Sequence, residues 1–227
     1  MFLLINKLPG PTSHDIIDKL RKITKIKKIG HAGTLDPFAQ GLLLVAIGRD
    51  STKHLSKFIG LDKEYQAALK LGATSDTYDK TGRVSKCPVS KYPVSEIEIK
   101  KVLKKFIGKQ EQTPPMFSAK KIKGQKLYKL ARQGKEIERH PQKITIHQIK
   151  LLSWSNVKCQ MSIVINCTSG TYIRSLAHDI GKEFGCGAYL EKLVRTKIGN
   201  FKLENAVELN KINNQNWQDY CISLPKI

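Results

Sequence analysis

GHAGTLDPFAQGLLLVAI, residues 30–47, joins a glycine-rich loop to an unbroken apolar run. Leu42 to Ile47 is too short to cross a membrane and is bounded by Gly41 and Gly48, so it reads as a buried strand. Gly30, Gly33 and Gly41 permit a tight, irregular backbone. Pro37 biases Asp36 away from helix toward an extended conformation. A carboxylate then sits on a stiff loop at the mouth of a buried strand, a place where scaffolds put chemistry.

Upstream, Phe2 to Asn6 predicts a short strand ended by the turn cluster Lys7-Leu8-Pro9-Gly10-Pro11. Thr12 with Asp15 makes a capping box, and Ile16, Ile17, Leu20 and Ile23 mark one helix face. Downstream, Leu55, Phe58 and Ile59 suit a short helix. Lys63 to Leu71 alternates, with Tyr65, Ala67, Leu69 and Leu71 on one face, and TSDTYDKTG, residues 74–82, reads as a loop. Ser95 with Glu98 is a second capping box, opening a helix through Ile99, Val102, Leu103 and Phe106 that stops at Gly108. Thr113 to Lys121 is loop or edge strand, and Leu127, Leu130 and Ala131 predict a short helix ending at Gly134. Ile144 to Leu152 is a strand with a phase slip near His147, the mark of a bulge. Val157 to Cys167 alternates throughout and is the strongest strand signal. Ile173, Leu176, Ala177, Ile180 and Phe184 define a helix closed by Gly185. From Gly199 the chain is polar and weakly patterned. Strands and helices mix without a regular βαβ rhythm, so the fold class is α/β or α+β with a mixed sheet.

Composition narrows the function. Hydrophobic residues make up 40% of 227, enough for a substantial core. Forty Lys plus Arg against nineteen Asp plus Glu give a net charge of +21. That excess favours a polyanionic partner, nucleic acid ahead of anionic membrane; a basic solvated surface is the plainer alternative. The five cysteines are odd in number and contain no C-x-x-C pair, which fits a reducing cytoplasm better than a disulfide framework or a zinc site. MFLLINK lacks a basic n-region, so no signal peptide is read. There is no P-loop and no G-x-G-x-x-G opening a helix after a strand, and the six histidines show no ligand spacing. ATP, nicotinamide and zinc are unsupported, and no metal site is expected.

Few residues are left to carry chemistry. Asp36 is either a turn aspartate or a single nucleophilic carboxylate aimed at an electrophilic sugar carbon. If Thr171 caps its helix, Arg174 lies in the first turn, where a cation opposes the helix dipole and calls for an acidic partner. That partner is Asp36, a phosphate, or locally Asp179 or Glu183. Tyr65 is a core tyrosine or a ring that stacks on a base, and His31 is structural or an RNA hydrogen-bonder. Lys120, Lys121, Lys123, Lys126 and Lys129, with Tyr128 and Arg132 among them, are a solvated face or a phosphate contact.

These motifs resemble the TruB family of bacterial tRNA pseudouridine synthases. Gly30 to Pro37 with Gly41-Leu42-Leu43 is similar to the family's aspartate motif. Lys63-Glu64-Tyr65 is similar to its tyrosine motif, and Gly170-Thr171-Tyr172-Ile173-Arg174-Ser175-Leu176 to its arginine motif. Pro114 to Ala119 and Leu190 to Arg195 also fit. Leu8, Asn6 and Ala32 depart from the residues usual at their positions.

The resemblance implies a pseudouridine synthase fold, a mixed, largely antiparallel sheet flanked by helices and loops, with residues 1–202 as the catalytic domain. It implies conversion of uridine to pseudouridine in the T arm of tRNA, without a cofactor. Nothing in the sequence demands more than a monomer. Asp36 would attack the target uridine at C1′ or act through a glycal route. Tyr65 would stack on the uracil and remove the C5 proton, and Arg174 would pair with Asp36. His31, Tyr172 and Leu193 would line the pocket of the flipped nucleotide. Residues 203–227 leave almost no room for the small PUA-type RNA-binding domain with which the family often continues. Two other readings stand beside this one: a guide-RNA-dependent pseudouridine synthase, and a tRNA-binding or tRNA-folding module with little catalysis.

Overall fold

The computed structural model describes residues 1–87, 95–122 and 124–223. They divide into two units, Met1–Gln66 with Leu193–Ile227, and Ala67–Lys192.

In the first unit the apolar run becomes the strand Gln40–Ile47. Phe2–Lys7 pairs with it antiparallel, Leu4 opposite Leu44. Ile29–His31 pairs antiparallel with residues 45–47, and Val194 and Arg195 pair parallel with Gln40 and Gly41. Successive side chains of a strand leave on opposite faces, so an unbroken apolar run needs two cores. Leu43, Val45 and Ile47 pack with Leu3, Ile5, and Ile16, Ile17 and Leu20 of the helix Ser13–Thr24. Leu42, Leu44 and Ala46 pack with Phe2, Leu4, Phe58 and Ile198. Both halves of the capping box expected at Thr12 and Asp15 are present.

The stretch after Gly199 is more ordered than its polar sequence suggests. Val207–Glu208 adds a parallel strand beside Ile5 and Asn6, and Cys221–Ile222 adds an antiparallel one beside Phe2 and Leu3. Backbone pairing carries this order, with Ile212 and Trp217 as its two buried anchors. The signal is weak because main-chain hydrogen bonds leave no side-chain period.

In the second unit Gln142–Ser155 pairs antiparallel with Gln160–Cys167 and with Gly108–Gln112. Its register shifts between Ile146 and Gln148, where the alternation slips at His147, and again between Leu151 and Ser153. The strand expected from Val157 begins only at Gln160. Val157 is 97% exposed and belongs to the hairpin turn, where Cys159 adopts φ 44°. Of residues 74–82, read as a loop, Thr74 and Ser75 lie in the strand Ala73–Ser75, which pairs antiparallel with Val84–Lys86, and residues 76–82 lie in the turn between the two strands. The helix behind the Ser95 box spans Glu96–Lys104; Phe106 lies past its end, and Gly108 opens the next strand. Ile173–Glu183 is helical, and Gly185 at φ 71° follows its end.

The architecture is thus a mixed sheet, largely antiparallel, with helices packed on it. Among the described residues no helix is long and apolar enough to cross a membrane.

Candidate active site

The loop that carries Asp36 is tied down at nearly every residue. Ala32 donates its N–H to the Leu44 carbonyl, extending the Ile29–His31 pairing. Ser13, the first residue of its helix, donates its hydroxyl to the Leu35 carbonyl at 3.1 Å and accepts from the Leu35 N–H at 2.9 Å. The Asp36 carbonyl accepts from the Ala39 N–H, and the Pro37 carbonyl from the Gly10 N–H. Asp36 itself is half-buried.

Two buried cations complete the scaffold. Lys7, fully buried, donates its amine to the carbonyls of Leu8, Pro11 and Pro37. Burial lowers its pKa to about 8; Asp36 pulls it upward and Arg195 pushes it down further. Arg195, 1% exposed, donates Nε to the Leu42 carbonyl at 2.8 Å and Nη2 to the Gly33 carbonyl at 2.9 Å. One guanidinium therefore bridges both ends of the aspartate loop. Gly33 has φ 97°, a backbone conformation that disfavours a side chain, although an added Cβ would make only ordinary contact with Arg195 Nη1 at 3.5 Å and Lys63 Cε at 3.9 Å. Lys7 does not announce itself in the sequence, being one basic residue among forty, and Arg195 does so only as the last residue of the Leu190–Arg195 stretch, with no role attached.

His31 is the last residue of its strand, opposite Val45, and its Nδ1 is buried without a hydrogen-bond partner. Burial, reinforced by Arg195 and His14, lowers its pKa to about 4, so the ring is neutral at pH 7. The folded chain refuses a proton that the unfolded chain accepts below about 6.5. His31 therefore withdraws stability as pH falls from 6.5 toward 4, and costs nothing above that window. Urea unfolding at pH 7 and pH 5 should show His31→Asn losing less stability between the two than the unsubstituted protein. Equal losses would overturn the assignment.

Tyr65 is buried on the strand Lys63–Leu71, on the same face as Lys63. Lys63 donates its amine to the Ile59 and Leu61 carbonyls. Leu193 is buried on the strand Ala188–Ile198. In the first unit, then, His31, Tyr65 and Leu193 lie on strands and Asp36 on the loop between Ile29–His31 and Gln40–Ile47.

The second unit carries Arg174 and Tyr172. Arg174 is 4% exposed, which overturns the surface pairing with Asp179 or Glu183; Glu183 is bound to Lys105 instead. Its Nη1 donates to the Thr77 carbonyl at 3.0 Å and lies 3.5 Å from an Asp79 carboxylate oxygen, and its Nη2 donates to the Phe117 carbonyl at 2.7 Å. Asp79 is a functional candidate hidden in the sequence within a polar loop. Arg174 does lie in the first helical turn, but Tyr172 rather than Thr171 occupies the cap. The Thr171 hydroxyl donates to the Thr168 carbonyl. The Gln112 side-chain amide accepts from the Tyr172 N–H at 2.7 Å and donates to its carbonyl at 3.0 Å. In the basic stretch, Lys126 and Arg132 flank the Tyr128 ring at 5.7 and 5.4 Å, while Lys123 lies outside the described residues. Among the described residues no group of three or more His, Cys, Asp or Glu could hold a metal ion.

The description "TruB family pseudouridylate synthase (N terminal domain)" matches residues 21–173, more than half of the chain. The chain belongs to the TruB family. Residues 174–223 match the "tRNA pseudouridylate synthase B C-terminal domain". The TruB chain is 50% identical over 206 residues to the tRNA pseudouridine synthase B of Protochlamydia amoebophila, covering 90% of itself and 76% of that relative. It is 41% identical to the enzyme of the same name from Aquifex aeolicus over 221 residues, 97% of itself and 76% of the relative. Among solved structures it is similar to a Cbf5-Nop10-Gar1 complex, with a TM-score of 0.71 and 30% identity over 92% of itself. It spans about half, 52%, of that chain's length.

Proposed function

We propose that this TruB-family chain isomerises uridine to pseudouridine in the T arm of tRNA, in the cytoplasm and as a monomer, with Asp36 as the essential carboxylate. The observation that carries the proposal is the Asp36 loop. Its backbone is immobilised by Ser13, Gly10, Lys7 and Arg195, within a chain half identical to a tRNA pseudouridine synthase B. A turn aspartate needs no such scaffold, whereas a nucleophile benefits from pre-organisation.

On this reading the target uridine is flipped out of the folded T arm, since its C1′ cannot be reached in a stacked loop. The C1′–N1 bond breaks with its electron pair leaving on the uracil while Asp36 bonds to C1′ or, by the glycal route, takes the C2′ proton. The detached base rotates, C5 bonds to C1′ as the carboxylate leaves or returns the proton to C2′, and the C5 proton is lost as N1 gains one. Tyr65 stacks on the base and takes the C5 proton as its own phenolic proton is passed on. Arg174 pairs with Asp36 and keeps it ionised, and His31, Tyr172 and Leu193 line the nucleotide pocket. His31 enters as a neutral ring, so it contributes shape and hydrogen bonding rather than charge.

Mass-spectrometric mapping of an unmodified tRNA transcript treated with the protein should find pseudouridine in the T arm. Its absence would overturn the proposal in favour of a binding module. Because the phosphate grip rests on the basic surface, tRNA affinity should fall steeply with added salt; a flat dependence would count against that grip. A guide-dependent reading is less well supported, since the relatives named tRNA pseudouridine synthase B are 41% and 50% identical to this chain.

A further inference from the structure

Arg174 is held by a loop that is itself held by a ring stack. Residues 74–82 bind the guanidinium at two points, through the Thr77 carbonyl at 3.0 Å and the Asp79 carboxylate at 3.5 Å. Asp79 is braced in turn: its Oδ1 accepts from the Thr77 hydroxyl and from the N–H and hydroxyl of Thr81. Tyr78 stands between these two anchors at φ 63°, a left-handed conformation that a side chain adopts only at a cost. Something must hold it there.

The Tyr78 ring lies on the His178 imidazole, with centroids 4.1 Å apart and planes within 16°. His178 follows Arg174 by four residues on the helix Ile173–Glu183, so the two side chains share a face one turn apart. The Tyr78 backbone is fixed as well, its N–H donating to the Ser75 carbonyl and its carbonyl accepting from the Leu190 N–H. The stack thus runs from the helix that carries Arg174 back to the strained residue between the guanidinium's two anchors. His178 makes no hydrogen bond through its buried Nδ1, and burial lowers its pKa against the pull of Asp179. It works as a neutral flat surface.

We infer that Tyr78 and His178 form a positioning clamp for Arg174, which sets the rate of the isomerisation and not the grip on RNA. The inference rests on the proposed function, in which Arg174 serves the reaction. Neither residue touches substrate; both act through the placement of the guanidinium.

The test measures kcat, KM and tRNA affinity for Tyr78→Gly, Tyr78→Phe, His178→Ala and His178→Phe with an unmodified tRNA transcript. Tyr78→Gly removes the ring but suits the left-handed backbone, so loss of folding is not its expected consequence. Tyr78→Gly and His178→Ala should each lower kcat about tenfold to a hundredfold with KM and affinity unchanged, as a small misplacement of a catalytic group does. Tyr78→Phe and His178→Phe keep a ring in the stack and should restore most of the rate. The double variant Tyr78→Gly/His178→Ala should be no slower than either single one, since the pair acts as a unit. A wild-type kcat in Tyr78→Gly or His178→Ala, or a Tyr78→Phe as slow as Tyr78→Gly, would overturn the clamp. If Tyr78→Gly fails to fold, the two His178 variants decide the matter alone. An unsubstituted protein that makes no pseudouridine would overturn the proposed function and the clamp together, a result distinct from a fast enzyme indifferent to these substitutions.

Discussion

Asp36→Asn should abolish pseudouridine formation while tRNA binding stays within severalfold of the unsubstituted protein. The amide has the shape of the carboxylate but neither its charge nor its nucleophilicity, and removal of a covalent catalyst costs at least about a thousandfold. Folding should survive. The loop is held through the backbone groups of Gly33, Leu35, Asp36 and Pro37, and those contacts do not use the Asp36 side chain. Binding should survive because affinity for a folded RNA comes from many phosphate contacts rather than from one carboxylate. Gel-shift and tritium-release assays on the same preparation separate the two. Turnover near the wild-type rate would remove Asp36 from the chemistry.

Gly41→Ala is expected to destabilise the first unit by roughly 3 kcal/mol or more. Gly41 has φ 123°, outside the range of L side chains, and Arg195 crosses directly over it. A Cβ at this position would come within 2.6 Å of the Arg195 nitrogen and closer still to its carbonyl oxygen. Neither atom can move without breaking the parallel pairing of Val194 and Arg195 with Gln40 and Gly41. Arg195 would then lose its placement beside the Leu42 and Gly33 carbonyls, so any folded fraction should also be slow. Gly48→Ala, at a positive φ but with nothing within 4 Å of the added Cβ, is the control and should cost less. If the two variants melt at the same temperature, crowding under Arg195 is not what requires glycine at 41.

Much of this was legible in the linear chain because it rests on local rules. The run from Leu42 to Ile47 has no polar position, and a strand without one must be covered on both sides; the two cores confirm it. The capping boxes at Thr12 and Ser95 close within one turn and depend only on residues three apart. The slip at His147 was visible because the alternation itself breaks there. Where the reading failed, a pattern continued past the structure that made it: Val157 keeps the alternation of Gln160–Cys167 yet sits in a turn.

The candidate site divides along the same line. Asp36, Tyr65 and Arg174 could be singled out from glycine spacing, strand alternation and motif resemblance, all of them properties of neighbouring residues. Lys7, Asp79, Tyr78 and His178 could not, and Arg195 fell within a matching stretch without its role being visible. Lys7 meets Pro37 across thirty positions and Arg195 meets Gly33 across 162, and the anchors of Arg174 lie 97 and 57 residues from it. Local chemistry decides which elements form and which residues can react. Which cations are buried, and which carbonyls they hold still, depends on chain closures of that length, and only the tertiary structure supplies them.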